Sequence, residues 1–303
     1  MDITTIGEMA AHLHRRPRTF HYAKDDYALL LLEQAALGGT TIHALKQGPF
    51  ASLLAKPRVR AFLATRGGAD LHADDIRRWR GEGGTPFRLT AGRWPIDAPE
   101  SMQDWRRQQT TRAAYNFVLQ LNFPLKHNHR LRKLVGKDID MIGPGGHPAR
   151  FDREMTLAWA RIDIHASSGV ALIEEIQSDW VRNVLLECEG DEWEARRWQR
   201  YRRELLEPHV RTWDEAMLAA AIHVLRERFL CHRIYMHTWQ GGLQMKSMQS
   251  RWARPPRSLY TKLPRRFCFE ETDLAPHFLR SSRERRIRTR LARKDVRWFL
   301  LRL

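Results

Sequence analysis

Two apolar runs joined by a short turn constrain this chain more than any other feature. "LAWARIDIH" (157–165) and "VALIEEIQSDW" (170–180) have the length and β-branched content of strands, and the "ASSG" between them predicts an antiparallel hairpin. A core strand should stay apolar to its end. This one turns after Ile173 to Glu174, Glu175, Gln177 and Asp179. Alternate strand residues share a face, so Glu175, Gln177 and Asp179 are expected to point one way, and Leu172, Glu174 and Ile176 the other. Such a row is either the wall of a cleft or a strand end emerging into solvent. With Asp163 across the hairpin, the carboxylates and the amide form a candidate acid–base or metal constellation.

The elements around the hairpin predict an α/β (α+β) chain, with a helical N-terminal region followed by a mixed sheet flanked by helices. Residues 1–110 read as short helices and a connector: "KDDYALLLLEQAALGG" opens on acidic residues and closes on glycines, as a helix should. The connector carries a strand in "FRLTAGRW". From 111 to 303 strands and helices alternate. "YNFVLQLNF" reads as a half-buried strand and "KHNHRLRKLVG" as a basic helix. A charged helical insertion falls near 187–210. "TWDEAMLAAAIHVLRERF" is expected to be a strong helix, with Thr212 capping it, Glu215 completing a capping box, and a stripe of Trp213, Met217, Ala220, Ala221 and Val224. "RIYMHTW", "RRFCFEE" and "VRWFLLRL" are expected strands, with a helix in "GLQMKSMQSRW" between the first two.

That order resembles the GNAT acyltransferase fold. "SLYTKLPRRFCFEE" (258–271) is similar to the family's tyrosine-bearing helix end and following strand, and "VRWFLLRL" to its closing strand. The resemblance implies that Glu175, on the central strand, is a general base and Tyr260 a general acid. It also implies an acyl-CoA site after that strand, but "QSDWVRNV" has Trp180 and Arg182 in place of the glycines that let backbone amides approach a pyrophosphate, so acyl-CoA is expected to bind weakly or not at all. "EIQSDW" also resembles a segment of domains within phage polyvalent proteins. A second resemblance is to the PD-(D/E)xK nucleases: Asp163 and Glu175 would hold Mg²⁺, with Gln177 where that family has lysine. The third alternative is a nucleic-acid-binding module without catalysis.

Charge bears on the partner. Lys and Arg number 52 against 35 Asp and Glu, a formal +17, which points to a polyanion and first to nucleic acid. Arginine runs at 280–294 and 196–206 supply candidate phosphate contacts in Arg283, Arg286, Arg290 and Arg293 and in Arg196, Arg197 and Arg200, with Ile287 and Leu291 turned inward and Trp198 and Tyr201 available to stack on bases. Cys188, Cys231 and Cys268 are widely spaced and suggest neither a disulfide framework nor zinc. The N-terminus lacks an apolar signal core and no run is long enough to span a bilayer, so a cytoplasmic location and no membrane partner are expected. Other motifs are weaker: His127 and His129 in "KHNHRLRK" lack a third ligand nearby, "GPGGHP" (143–148) reads as an ordinary connector, and "QGGL" as a strand-to-helix turn.

Overall fold

The computed structural model describes residues 1, 3–14, 19–67, 70–80, 83–95, 109–136, 147–150, 155–190, 192–246 and 255–303. Eight strands form one mixed sheet: β1 (Thr19–Tyr22), β2 (Thr85–Trp94), β3 (Asn116–Asn122), β4 (Thr156–His165), β5 (Val170–Gln177), β6 (Arg233–His237), β7 (Glu270–Thr272) and β8 (Trp298–Arg302), in the order β1-β2-β3-β4-β5-β6-β8-β7. Together with the flanking helices this is the α/β class that the pattern predicts.

The β4–β5 hairpin forms as expected, closed by a 3₁₀ turn at Ala166–Ser168 and by Gly169 at φ 59°. Every described neighbour pairing is antiparallel except β5 with β6, which is parallel. A parallel pair needs a crossover, and the long Trp213–Phe229 helix lies within it. The parallel ladder runs only from Val170–Arg233 to Ile173–Met236. Beyond Ile173, β5 keeps β4 as its partner but no longer pairs with β6, which opens a split in the sheet.

A register shift sits at the same point. Arg161 pairs with Glu175 but Ile162 pairs with Ile173, so Glu174 is an extra, bulged residue. The bulge resets the alternation. Leu172 lies in the core with Tyr235 and Trp298 on one face, whereas Ile176 joins Ala171 and Ile173 in the core on the other. The expected grouping of Leu172 with Ile176 therefore fails, because unbroken alternation cannot cross an inserted residue.

The Trp213–Phe229 helix is buried on nearly every side from Glu215 to Leu225, wider than the predicted stripe, because the sheet covers one flank and the Asp26–Ala35 helix the other. Thr212 makes no side-chain cap; its hydroxyl donates to the Pro208 carbonyl at 2.9 Å. Glu215 instead accepts from the Tyr22 hydroxyl at 2.5 Å, from the Asp25 amide at 2.7 Å and from Arg266. These bonds reach across the expected boundary near residue 110. That region supplies β1 and β2, and β2 pairs with β3 from Arg88–Asn122 to Trp94–Asn116. Glu33, fully buried, takes Arg77 at 3.0 Å, Arg80 at 3.2 Å and Arg226 at 2.9 Å, a second tie to the same long helix. The expected strand "RRFCFEE" is partly helix: Lys262–Arg266 turns, and only Glu270–Thr272 pairs, with β8. The helix expected in "GLQMKSMQSRW" spans Trp239–Met245; the rest of that segment from 247, the connector at 96–108 and the glycines of "GPGGHP" lie outside the described residues.

Candidate active site beside the central strand

Glu174 plugs the split. The bulge points its fully buried carboxylate between β5 and β6, where it accepts from the Thr111 amide at 3.0 Å, the Thr111 hydroxyl at 2.8 Å and His237 Nε2 at 3.0 Å. Lys246 Nζ lies 3.5 Å from the carboxylate and donates to the Glu174 carbonyl, which the bulge releases from the ladder. Burial by itself would raise the Glu174 pKa, but Lys246 and His237 hold it well below the usual carboxylate range. Burial pushes the Lys246 and His237 values down. This is a closed, internally neutralised cluster.

Glu175 faces the other way, into a cavity of about 440 Å³ that Gln177 and His147 also line. It is held by Arg161, a fully buried guanidinium, whose Nη2 donates to Glu175 at 2.5 Å and to the Gln109 carbonyl at 2.9 Å. The Arg161 guanidinium lies 5.0 Å from the Trp94 ring, and its Nε and Nη1 have no acceptor among the described residues. Most of the remaining wall is apolar: Val181, Leu185, Leu186, Trp213, Pro256 and Leu259. An apolar body with a few convergent polar groups is the usual form of a ligand site.

Asp179 organises the polar end. Fully enclosed, its carboxylate accepts from His147 Nδ1 at 2.9 Å, Trp159 Nε1 at 2.9 Å, Arg182 at 2.7 Å and the Gln177 amide. Burial opposes ionisation, yet His147, Trp159 and Arg182 more than compensate and lower its pKa. His147 donates from Nδ1, so Nε2 is the ring atom left for a bound molecule, and the side chain stays 25 % exposed. An imidazole oriented by a buried carboxylate is the working part of a general base.

A continuous hydrogen-bond chain fixes the loop that carries His147. The Arg150 amide donates to Thr156 Oγ1 at 3.0 Å, and that hydroxyl to Asn122 Oδ1 at 2.7 Å. Asn122 Nδ2 donates to Thr90 Oγ1 at 2.8 Å, Thr90 to Gln120 Oε1 at 2.6 Å, and Gln120 Nε2 to the Pro148 carbonyl at 2.7 Å. The chain begins and ends on residues 148–150. β3, expected to be an ordinary half-buried strand, is buried throughout, and its Gln120 and Asn122 serve this network.

Of the expected site residues, the structure brings Glu175, Gln177 and Asp179 together. It does not add Asp163, whose carboxylate is gripped at both oxygens by Arg112, at 2.5 and 2.7 Å, beside Phe278. Asp163 and Glu175 thus each answer to a separate arginine, and no group of three metal-ligating side chains occurs among the described residues. Tyr260 is buried, its hydroxyl has no hydrogen-bond partner among the described residues, and burial raises its pKa strongly. Its neighbour Leu259, not Tyr260, lines the cavity.

Arg286 and Arg290 are turned to backbone carbonyls, whereas Arg196, Arg200 and Arg293 make their contacts at the exposed surface. Arg286 donates to the Thr111 carbonyl at 3.4 Å, Arg290 to the Met245 carbonyl at 2.6 Å and Arg293 to Gln244 at 2.6 Å. Arg196 pairs with Glu192, Arg200 with Glu204 at 2.8 Å, and Arg197 lies over Trp193. Trp198 and Tyr201 are buried in the core and cannot stack on bases. Arg285 and Arg288 are exposed on the Arg285–Leu291 helix, and Arg283 is exposed in the segment just before it.

His147, Arg161, Trp159, Arg182, His237 and Lys246 escaped the sequence reading. The signals available were the polar alternation of β3 and β4 and the histidine closing "GPGGH", none of which says what it faces. No described helix is long and apolar enough to cross a membrane. Comparison with models of known families, with characterised proteins and with solved structures finds no match.

Proposed function

We propose that the chain is an enzyme of GNAT-like fold that performs general acid–base group transfer on a nucleic-acid-associated substrate, in the cavity beside β5. The strand order, the parallel β5–β6 pair that ends at Ile173–Met236 and the bulge at Glu174 support the fold reading. One observation carries the catalytic part: His147 is held by Asp179 at 2.9 Å at the polar end of an otherwise apolar cavity. His147 Nε2 takes a proton from an attacking hydroxyl or amine as that atom bonds to the transferred group, Asp179 stabilises the imidazolium, and the imidazolium returns the proton to the donor's leaving atom as its bond to the group breaks. Arg182, 55 % exposed and lining the same cavity, offers a counter-charge to an anionic group.

The acyl-CoA that the likeness implies does not fit the residues present. The Asp179–Glu187 helix begins with its own cap, Ser178 Oγ accepting the Val181 amide at 3.1 Å, and with the Asp179 carboxylate, so a pyrophosphate meets a satisfied and negatively charged terminus. At the split, Lys246 already occupies the Glu174 carbonyl. The donor is therefore of another class. Two carboxylates neutralised by separate arginines weigh against the nuclease alternative. The net charge of +17 and the exposed Arg283, Arg285 and Arg288 support a polyanionic carrier of the substrate.

The test is to incubate wild type and His147→Gln with DNA and RNA oligonucleotides, nucleic-acid-binding peptides and a panel of small group donors, and to weigh the products by mass spectrometry. A covalent mass change made by wild type and slowed about 10²–10⁴-fold in the variant is expected. No mass change in any wild-type incubation, or equal rates for the two proteins, sinks the reading.

A further inference from the structure

We propose that the Leu125–Val135 helix presents a binding surface for the phosphate backbone of a nucleic acid, made by Lys126, Arg130 and Lys133. It needs only the polyanionic carrier of the reading above and adds the surface that holds it. The run "KHNHRLRK" places His127 and His129 two apart, and the helix sends them to different sides. His127 is buried with Leu131 and Val135, stacked on Phe123 with ring centroids 3.7 Å apart, and lies 3.1 Å from the Tyr201 hydroxyl. His129 is exposed. The pair cannot share a metal, and what the motif leaves on the outside is charge.

Lys126, Arg130 and Lys133 fall at i, i+4 and i+7, so they form one stripe about 10 Å long on the solvent side. All three are exposed, and none of their side chains has a hydrogen bond or ion pair among the described residues. No acidic residue occurs from 113 to 136. Exposed arginines that follow in the chain are matched: Arg196 has Glu192, Arg200 has Glu204 at 2.8 Å and Arg211 has Glu207 at 3.0 Å, each pair four residues apart. Glu204, which senses Arg130 at longer range, is thus already taken by Arg200. Like charges at i, i+4 repel and destabilise a helix. Phosphates laid along the stripe relieve that repulsion and release their own counterions.

Position and chemistry agree with this partner. Arg197 of the Glu192–Tyr201 helix reaches the Val135 carbonyl at 3.5 Å, and that helix packs in turn on Asp179–Glu187, which lines the cavity beside β5. At ordinary helix spacing the stripe lies about 20 Å from that wall, a distance that several nucleotides span. A lipid surface is a poor match, because a membrane-bound helix turns a broad apolar face outward. Here Leu131 and Val135 are in the core, and only Leu125, 45 % exposed, is a large apolar residue on the outside of the helix.

Fluorescence anisotropy with labelled single strands of DNA and RNA, each in two unrelated sequences and read at several salt concentrations, compares wild type with Lys126→Gln/Arg130→Gln/Lys133→Gln. Glutamine keeps helix propensity and removes the repulsion, so this variant should melt at or above the wild-type temperature. It is expected to bind at least tenfold more weakly at low salt, with a log–log salt slope shallower by about 2, since each contact to a single strand contributes about 0.7. The two sequences should bind alike within threefold, because phosphate contacts carry no base information. Two controls should stay within threefold of wild type: Lys126→Arg/Lys133→Arg, which keeps the charge, and Lys46→Gln/Arg60→Gln/Lys262→Gln, which removes the same charge from exposed positions elsewhere. Equal affinity and slope for wild type and the stripe variant, or an equal loss in the second control, overturns the surface. Wild type that binds no nucleic acid, whether or not it binds phosphatidylserine vesicles, overturns it too. Absence of any transfer product in the incubations above sinks the acid–base reading and leaves a stripe-dependent anisotropy result standing.

Discussion

Glu174 and Asp179 are both enclosed carboxylates, and their surroundings give them different work. Glu174 is matched by Lys246 and His237 and has no opening to the cavity, so its role is to close the sheet. Glu174→Gln strands a buried ammonium beside a neutral amide, and breaking a buried pair from one side costs about 3–5 kcal/mol. Urea unfolding should show that loss, and adding Lys246→Met should recover part of it; a Glu174→Gln protein as stable as wild type would show that Lys246 is not charged there. Histidines add a pH dependence. Burial pushes His127, stacked on Phe123 and bonded to Tyr201, down to about 3 from the ordinary 6.5. Between those values the unfolded chain holds a proton that the folded chain lacks, so stability falls as pH drops from about 6.5 towards 3, by up to ~1.4 kcal/mol per pH unit for this group. His127→Gln should flatten the slope of unfolding free energy against pH over pH 4–6.5, and an unchanged slope would remove His127 from the acid response.

Among the elements, β5 does two tasks by breaking its own regularity. Up to Ile173 it is a core strand in a parallel pair; the bulge then turns Glu174 into the split and Glu175 and Gln177 toward the cavity. The hairpin that sets its register depends on Gly169, which is left-handed at φ 59° and packed under His232, with its carbonyl accepting the His232 amide at 2.9 Å. Gly169→Ala adds a strained φ and a methyl with no room. A loss of about 1–2 kcal/mol from the backbone alone is expected, with the steric clash adding to it. Thermal unfolding measures the cost, and a variant that melts with wild type would mean the turn relaxes freely. The Arg285–Leu291 helix repeats the lesson on a smaller scale: Ile287 is buried as expected, but carbonyls of neighbouring segments claim two of the arginines beside it.

At the level of the whole molecule, residues 1–110 are built into the domain. β2 covers β3, the Asp26–Ala35 helix shares the main core, and Glu33 and Glu215 bind across the expected boundary. A fragment of residues 111–303 would expose the β3 edge and the apolar flank of the Trp213–Phe229 helix, and it should be insoluble or molten by near-UV circular dichroism. A cooperatively unfolding, soluble fragment would restore the two-part organisation. The charge of +17 makes its own prediction. Alanine at Arg283, Arg285 and Arg288 should weaken DNA and RNA binding and flatten its salt dependence, because each lost phosphate contact removes about one counterion from the exchange. Alanine at Arg290 should chiefly lower stability, since its guanidinium is spent on the Met245 carbonyl. Filter binding across salt concentrations separates the two, and equal slopes for wild type and the triple variant would leave the exposed arginines as solvated surface.

The sequence by itself determined the local elements: the β4–β5 hairpin through its turn, the Trp213–Phe229 helix through its run of helix formers, and the polar end of the strand at Glu175 and Gln177 through its interruption of an apolar run, whereas Asp179, expected on the same strand, is the first residue of the helix that Ser178 caps. These follow from neighbours along the chain, where spacing is fixed by backbone geometry. What filled the space opposite them was a matter of contacts distant in sequence. His147 reaches Asp179 from 32 residues away, Lys246 reaches Glu174 from 72, and Arg226 reaches Glu33 from 193. An arginine reads alike whether it meets a phosphate or a carbonyl, and a carboxylate reads alike in a closed ion cluster or at the head of a base. Only the tertiary structure decides which partner each one has, because burial and pairing depend on what the folded sheet brings within a few ångströms, and that is not written in any local pattern.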